Sequence, residues 1–401
     1  MHLQLTAFIA SIALVSATLS PSEQWWIDEL GPEVGRASGG QGVVVAVIDT
    51  GIDASHPDLT DVVIGGADFS GVGTPDGLTP VGSSSFHGTM VASLISGQGK
   101  QSGGVIGVAP GAKLLSVSVG LGVEGSDTDT QIAAAVNWAV DLGADVINLS
   151  LSRNSSTWPK SWDKAFLRAF ENDIVVVAAS GNDMTGNSKP GAPATIPGVL
   201  SVTGLDRSFE GRQVAGSSGL GISLSAPGFE LYGSYPGGKI AKWSGSSAAA
   251  PLVSGLVALM RQQDPEASAN DIIFRLISTA RDYGEAGFDQ TYGYGFPNLT
   301  AALASGLTST TNPLGQLDYW IELYRNSQED DSQDTSFGVP EIPEQVIGVT
   351  ESDSEGNSLS SQAGWYQNPL LYFLLSPVAL LLWLALRKRR SEGQGRKDES
   401  I

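Results

Sequence analysis

Short runs of β-branched and other apolar residues predict four buried strands in the first half of the chain. They lie at residues 43–48, 114–119, 146–151 and 174–179. Each run is nearly continuous in apolar character, which is typical of strands that helices cover on both faces of a sheet. Between the second and third runs, apolar residues recur at helical spacing and predict an amphipathic helix over residues 130–142.

The alternation of strands and helices from residue 42 to about residue 306 predicts an α/β fold with a mainly parallel sheet. Right-handed crossovers place the helices on both faces of such a sheet. Active sites of parallel sheets lie beyond the carboxyl ends of the strands. Asp49 directly follows the first predicted strand, so we expect its carboxylate at that edge.

The N-terminal end carries an apolar run over residues 3–19 that predicts a secretory signal peptide over residues 1–20. Small residues and a following proline favour cleavage after Ala17 or Ser20. No lysine or arginine precedes the run, so an N-terminal anchor that is never cleaved stays open as an alternative.

The C-terminal end contains 18 residues without charge, 369–386, followed by four basic residues. At about 1.5 Å per residue a helix of this length spans about 27 Å, enough for the core of a bilayer. With its aromatic flank, the segment predicts a transmembrane helix over residues 365–386. The basic cluster marks residues 387–401 as a cytoplasmic tail. A buried core helix and a removable sorting tail are the alternatives.

The stretch between the body and this helix, residues 307–364, is acidic and poor in apolar residues, which predicts a flexible linker. A short helix over residues 317–324 is the exception within it. The remaining residues, 21–306, form the predicted globular domain. This order places that domain on the extracytoplasmic side of a cell membrane, held by a single span.

Composition excludes several classes of function. The chain has no cysteine, which excludes disulfides, thiol nucleophiles and zinc–cysteine sites. A net charge of −20 would repel nucleic-acid phosphates, so no nucleic-acid partner is expected. The three histidines, His2, His56 and His87, do not form a zinc motif, and no metal site is predicted from them.

Three motifs carry the candidate chemistry. They are DTG at residues 49–51, HGT at residues 87–89 and GSSAAAP at residues 245–251. Over about residues 42–303 the chain resembles the subtilisin-like serine proteases, whose motifs DTG, HGT and GTSxAxP occur in this order. The resemblance implies a catalytic triad of Asp49, His87 and Ser247. Ser246 stands where the family usually has threonine.

The chemistry of these residue types agrees with the implied roles. A serine hydroxyl is a weak nucleophile until a base removes its proton, and an ordinary imidazole titrates near about 6.5. A buried carboxylate orients that imidazole and stabilises its charged form. The resemblance further implies that Asn182 and the backbone N–H of Ser247 stabilise the oxyanion. His56 is interpreted as structural.

Substrate binding is assigned by the same resemblance to Ser150, Leu151, Ser152, Asp127 and Gly181. The family commonly has glycine where Ser152 stands, so the shape of the first specificity pocket is open. Asp127, with Asp129 and Asp183, suggests an acidic rim for basic substrates. Helix capping is the alternative role for these aspartates.

No cofactor is expected. Asp58 matches a position that helps to ligate calcium in the family, but residues 97–104 offer no carboxylate as a further ligand. We therefore do not predict a structural calcium site here.

The predicted function is that of a membrane-anchored, extracytoplasmic serine endopeptidase, which hydrolyses protein or peptide substrates through an acyl-enzyme. The layout, with no room for a large inhibitory domain before Asp49, is similar to that of the mycosins of type VII secretion. The alternative is therefore a structural or maturation component of a secretion complex. A lipid or carbohydrate hydrolase is disfavoured, because the GxSxG motif does not surround Ser247.

Overall fold

The computed structural model describes residues 13–15, 19–100, 103–182, 189–209, 219 and 221–326. The predicted transmembrane helix, the cytoplasmic tail, the linker beyond residue 326 and most of the predicted signal peptide lie outside these residues. Within the part that is described, no helix is long and apolar enough to cross a membrane.

The strands of the described residues form one large and one small sheet. Their bounds are β1 Ala13–Val15, β2 Val44–Asp49, β3 Val63–Asp68, β4 Lys113–Ser118, β5 Val146–Leu149, β6 Val175–Ala179, β7 Leu200–Leu205, β8 Leu224–Pro227, β9 Leu231–Tyr235 and β10 Lys239–Trp243. The large sheet has the order β3-β4-β2-β5-β6-β7-β8, and each pair of neighbours is parallel. The predicted parallel α/β sheet is confirmed, and all four predicted strands belong to it.

The helices of the described residues connect and flank these strands. They are α1 Trp26–Leu30, α2 His87–Ser96, α3 Thr128–Asp141, α4 Lys160–Glu171, α5 Ser246–Gln263, α6 Ala269–Ser278, α7 Leu299–Ser305 and α8 Leu317–Ile321, with 3₁₀ turns at Pro21–Glu23 and Pro57–Leu59 and a π turn at Glu322–Asn326. The helix predicted over residues 130–142 is α3. It begins two residues earlier than predicted, because the side chain of Asp127 caps its N-terminus.

Two hydrophobic clusters form the core, and the strands of the large sheet contribute to both. In β2, Val45 and Val47 belong to the cluster that contains α2 and α5, whereas Ala46 and Ile48 belong to the cluster that contains α3 and α4. Alternate side chains of a strand point to opposite faces, so helices on both faces bury all of β2 except its first residue, Val44. The continuous apolar runs of the sequence have this cause.

The small sheet is antiparallel, with the order β1-β10-β9. Residues 13–15 of the predicted signal peptide form β1, which pairs with β10 in the register Ala13 to Lys242. The strand β10 ends at Trp243, shortly before α5. The signal peptide itself stays a prediction.

The body extends beyond the boundary predicted at residue 306. Leu317 in α8 is buried in the cluster around α3 and α4, and Trp320 packs against the same cluster. The prediction of a short helix within residues 317–324 agrees with α8. The flexible linker predicted from residue 307 is corrected for residues 307–326, because these apolar side chains dock on the domain.

Candidate active site

Asp49 and His87 form a buried pair at the carboxyl edge of the large sheet. Asp49 is the last residue of β2, and His87 is the first residue of α2. The His87 Nδ1 lies 2.8 Å from Oδ1 and 2.9 Å from Oδ2 of Asp49. The backbone N–H of Thr50 also donates to Oδ1, at 2.8 Å. The carboxylate therefore accepts from the ring and is held by its own turn.

Glycine allows the two motifs to approach so closely. A Cβ added at Gly88 would lie 2.4 Å from the carbonyl oxygen of Gly51, so a side chain there would separate α2 from the turn after β2. The N–H of Gly88 donates to Oγ1 of Thr50 at 3.0 Å. The DTG and HGT motifs are thus two halves of one contact.

The other ring nitrogen of His87, Nε2, is buried and has no hydrogen-bond partner. Because an acceptor carboxylate faces Nδ1, the proton of a neutral ring belongs on Nδ1 and the lone pair on Nε2. Trp243 packs edge-to-face on the imidazole, with 5.4 Å between ring centroids. No sequence motif identifies Trp243, and its position four residues before Ser247 is the only signal for it.

Ser247 lies in the first turn of α5 and is buried. Its Oγ donates to the carbonyl oxygen of Ser150 at 3.0 Å, so the structure brings the nucleophile candidate against the predicted substrate-binding wall. No hydrogen bond joins Ser247 Oγ to His87 Nε2. Asp49 and His87 are thus hydrogen-bonded to each other, whereas the hydroxyl of Ser247 is hydrogen-bonded to the backbone of Ser150.

Asn182 follows strand β6 and faces the start of α5. Its Oδ1 accepts from the backbone N–H of Ser246 at 2.8 Å and contacts the Ser246 hydroxyl at 3.1 Å. The Ser246 N–H can only donate, which assigns the oxygen end of the amide to that side. The amide nitrogen is then the end that can donate a hydrogen bond to an oxyanion. Gly181 joins the same group, since its N–H contacts Ser246 Oγ at 3.1 Å.

Ser150, Leu151 and Ser152 follow β5 directly. Leu151 is buried in the core, whereas Ser152 reaches toward Gly191. A Cβ added at Gly191 would lie 2.4 Å from Ser152 Oγ, so this hydroxyl fills space that a glycine at position 152 would leave open. A glycine at position 152 would therefore leave the surface beside Gly191 more open and less polar.

The acidic rim suggested by Asp127 and Asp129 stays a prediction. Asp127 is exposed and accepts from the backbone N–H and the hydroxyl of Thr130, the contact that the helix-cap alternative expects. Asp129 forms an ion pair with Arg153, which neutralises it. Asp183 lies outside the described residues. The sequence could not reveal the pairing of Asp129, because Arg153 is 24 residues away.

His56 is buried and structural, as predicted. Its Nε2 lies 2.9 Å from the carbonyl oxygen of Lys239, and its Nδ1 accepts from the N–H of Asp58 at 3.2 Å. Both ring nitrogens are therefore engaged with backbone groups.

Comparisons with known proteins identify close relatives of this arrangement. A family model described as the subtilase family matches residues 40–295. Subtilisin DY of Bacillus licheniformis is 38% identical over 267 residues, which cover 66% of this chain and 91% of subtilisin DY. Fervidolysin of Fervidobacterium pennivorans is 34% identical over 319 residues, which cover 71% of this chain and 44% of fervidolysin. The chain thus spans less than half of fervidolysin.

Solved structures agree with the sequence relatives. The crystal structure of fervidolysin, described as a keratinolytic enzyme related to subtilisin, has a TM-score of 0.63 and 29% identity, over 76% of this chain and 51% of that chain. The S41 psychrophilic protease has a TM-score of 0.61 and 30% identity, over 71% of this chain and 99% of that protease.

Proposed function

The chain belongs to the subtilase family, and from this premise we propose that it is a serine endopeptidase with Asp49, His87 and Ser247 as its catalytic triad. The observation that carries the proposal is the buried Asp49–His87 pair, with 2.8 Å between Oδ1 and Nδ1 and an unpartnered Nε2 on the opposite side of the ring. A histidine bonded in this way can accept one proton at Nε2 while Asp49 stabilises the resulting charge.

The proposed reaction proceeds through an acyl-enzyme. Ser247 Oγ attacks the scissile carbonyl carbon while its proton passes to His87 Nε2, and the same proton then goes to the leaving amine. In the resting arrangement the Ser247 hydroxyl donates to Ser150. Rotation about the Cα–Cβ bond redirects the hydroxyl to the imidazole. Water releases the acyl group by the same route in reverse.

Labelling with a fluorophosphonate probe tests the proposal. The probe reacts with an activated serine, so wild-type protein is expected to gain one covalent adduct, which Ser247→Ala and His87→Ala lose. Circular dichroism establishes that each variant is folded. Folded wild-type protein that remains unlabelled and cleaves no peptide contradicts the proposal.

We propose that Asn182 donates its side-chain amide to the oxyanion, together with the N–H of Ser247. The support is the assignment of its oxygen to the N–H of Ser246. Asn182→Ala is expected to lower kcat by about 10²–10³-fold with little change in KM, a magnitude known from a subtilisin. Steady-state kinetics on a peptide amide measures the effect.

Asn172→Ala is the matched control for Asn182→Ala. Asn172 is exposed at the end of α4, where its amide donates to the carbonyl oxygen of Arg168. This variant is expected to keep wild-type kinetics. If the kcat of Asn182→Ala equals that of the control, Asn182 does not stabilise the oxyanion.

We propose that no structural calcium binds at Asp58. The carboxylate Oδ2 already accepts from the N–H of Val105 and from the hydroxyl of Ser234, each at 2.9 Å. The neighbouring Gln24 donates to the carbonyl oxygen of Gly104 at 3.1 Å and accepts from the N–H of Ile106 at 2.8 Å. These donors occupy Oδ2 of Asp58 and Oε1 of Gln24, two oxygens that could otherwise ligate calcium. The described residues also hold no cluster of three or more His, Asp or Glu that could ligate a metal.

The stability of the protein is therefore expected not to depend on calcium. A ligand that binds only the folded state raises the melting temperature with its concentration. Tm measured by calorimetry should be the same in EDTA and in millimolar calcium chloride. A higher Tm in calcium, reversed by EDTA, would contradict the proposal.

We further propose that residues 365–386 anchor the enzyme in a membrane with its catalytic domain on the extracytoplasmic side. The support is the uncharged stretch 369–386 with the basic cluster after it. Fractionation after an alkaline wash should leave the full chain in the membrane pellet and release a chain that ends at residue 364. Release of both chains would oppose the anchor.

A further inference from the structure

The segment Leu317–Asn326 contacts the loop that carries the predicted substrate-binding residues. We call residues 150–159, between β5 and α4, the substrate loop. Its first three residues are Ser150, Leu151 and Ser152, and it ends beside Trp158. Trp158 is buried, and its ring meets that of Trp320 from α8 with 4.5 Å between centroids.

Arg325 completes this contact. Its Nη2 donates to the carbonyl oxygen of Trp158 at 3.0 Å and to Oδ1 of Asp163 at 3.2 Å. Its Nε lies 2.9 Å from Oδ2 of Asp163, an ion pair whose angle is too bent for a hydrogen bond. The guanidinium also lies over the rings of Trp158 and Trp320, at 5.8 and 5.2 Å from their centroids. We call Trp320 and Arg325 the C-terminal clamp.

Asp163 connects the C-terminal clamp to the substrate loop. It lies in the first turn of α4, is nearly buried, and accepts from Nε1 of Trp158 at 2.7 Å. A buried carboxylate requires a cation and hydrogen-bond donors, and Arg325 is the cation with which it is paired. Loss of Arg325 therefore favours any movement of Trp158 and α4 that lets water reach Asp163.

The first turn of α4 also contacts the start of the substrate loop. Trp162, next to Asp163, packs under the guanidinium of Arg153, with 5.6 Å from its carbon to the ring centroid. Arg153 directly follows Ser152, and its N–H donates to the carbonyl oxygen of Ala192 at 2.8 Å. Gly191, which Ser152 Oγ approaches, precedes Ala192. Both ends of the substrate loop are thus fixed, one by the C-terminal clamp and the other by the chain around Gly191.

We propose that the C-terminal clamp positions the substrate loop, and that Trp320 and Arg325 are positioning residues for peptide binding. This inference rests on the proposed function. Neither residue touches Asp49, His87 or Ser247 in the described contacts, so the clamp acts on binding and leaves the triad as it is. The start of the substrate loop borders the nucleophile, because Ser247 Oγ donates to the carbonyl oxygen of Ser150. A loosened loop would hold this side of the site less often in the geometry that binds an extended peptide.

Kinetics of Arg325→Ala against an extended peptide amide tests the inference. We expect KM to rise about ten-fold with kcat within about two-fold of wild type, because an interaction used equally in the ground and transition states is lost. The rate of labelling by a small fluorophosphonate, which occupies little of the loop, should stay at the wild-type value. Arg325→Lys keeps the charge without the planar fork and should give an intermediate KM.

Tyr319→Ala is the matched control, since Tyr319 lies in α8 beside Trp320 but is 59% exposed. It should show wild-type KM and labelling. Folded Arg325→Ala and Arg325→Lys with wild-type KM would overturn the inference, as would a parallel loss of labelling and turnover. If Arg325→Ala does not fold, the KM and the labelling rate of Arg325→Lys and Trp320→Phe decide between these outcomes. Wild-type protein that neither labels nor cleaves contradicts the proposed function instead.

Discussion

Replacing Ser247 by alanine is expected to lower kcat for peptide hydrolysis by about 10⁶-fold, the magnitude known from a subtilisin. Alanine removes the oxygen that forms the acyl-enzyme, and no neighbouring group takes its place at the start of α5. The folded structure should be preserved, because the Ser247 hydroxyl makes one hydrogen bond, to the Ser150 carbonyl oxygen. Progress curves of Ser247→Ala on a peptide amide measure the residual rate, and they should show no initial burst of product.

The dependence of Ser247 on His87 gives this prediction a second part. When two residues act as one catalytic unit, removing the second adds no further loss of rate. The double variant Ser247→Ala with His87→Ala should therefore have the same kcat as either single variant. Ser254→Ala is the control and should keep a kcat close to that of wild type. Ser254 is buried in the same helix, and its hydroxyl donates to Asn148 at 2.9 Å. Effects of Ser247 and His87 that multiply in the double variant would contradict a shared mechanism.

Replacing Asp49 by asparagine is expected to lower kcat by about 10⁴-fold, as in another serine protease with such a triad. The amide can keep the geometry of the 2.8 Å contact with His87 Nδ1, but it can offer an N–H where the carboxylate only accepts. That N–H favours the tautomer with its proton on Nε2, where the serine proton must go. The amide also has no charge to stabilise the imidazolium.

The control for Asp49→Asn lies at the other end of the same strand. Asp145 accepts from the N–H of Val44 at 2.8 Å, so Asp145→Asn changes one carboxylate at the amino end of β2. Its kinetics should remain close to wild type while its Tm falls slightly. An Asp49→Asn enzyme within ten-fold of wild type would show that the carboxylate is not needed for the reaction.

The parts of the fold that the sequence predicts well depend on local patterns. The run at residues 43–48 is apolar on both faces because both clusters of the core use it, and Asp49 follows at the sheet edge. The close approach of His87 to Asp49 also has a local signal, since only glycine at position 88 lets the DTG and HGT motifs meet. Motif residues that share one edge of a sheet are therefore recognisable without coordinates.

The parts that the sequence did not predict depend on partners far along the chain. The hydroxyl of Ser247 donates to Ser150, 97 residues earlier. Arg325 pairs with Asp163 across 162 residues, so an apparent linker residue belongs to the domain. No local spacing distinguishes these outcomes, because each is decided by which surfaces meet on folding.

The mycosin-like layout and the secretion-complex alternative stay predictions. Both depend on the signal peptide and the membrane anchor, most of which lie outside the described residues. The family relationship depends on residues 40–295 instead and is independent of the ends.

Trapping the acyl-enzyme tests the central claim most directly. An ester substrate that acylates rapidly and deacylates slowly is mixed with the enzyme, quenched in acid and digested, and the peptide that carries the acyl mass is sequenced by mass spectrometry. Our account predicts one acyl group per chain, on Ser247, and none on His87→Ala after the same interval. Turnover with the acyl group on another residue, or with no covalent adduct in a burst experiment, would contradict it.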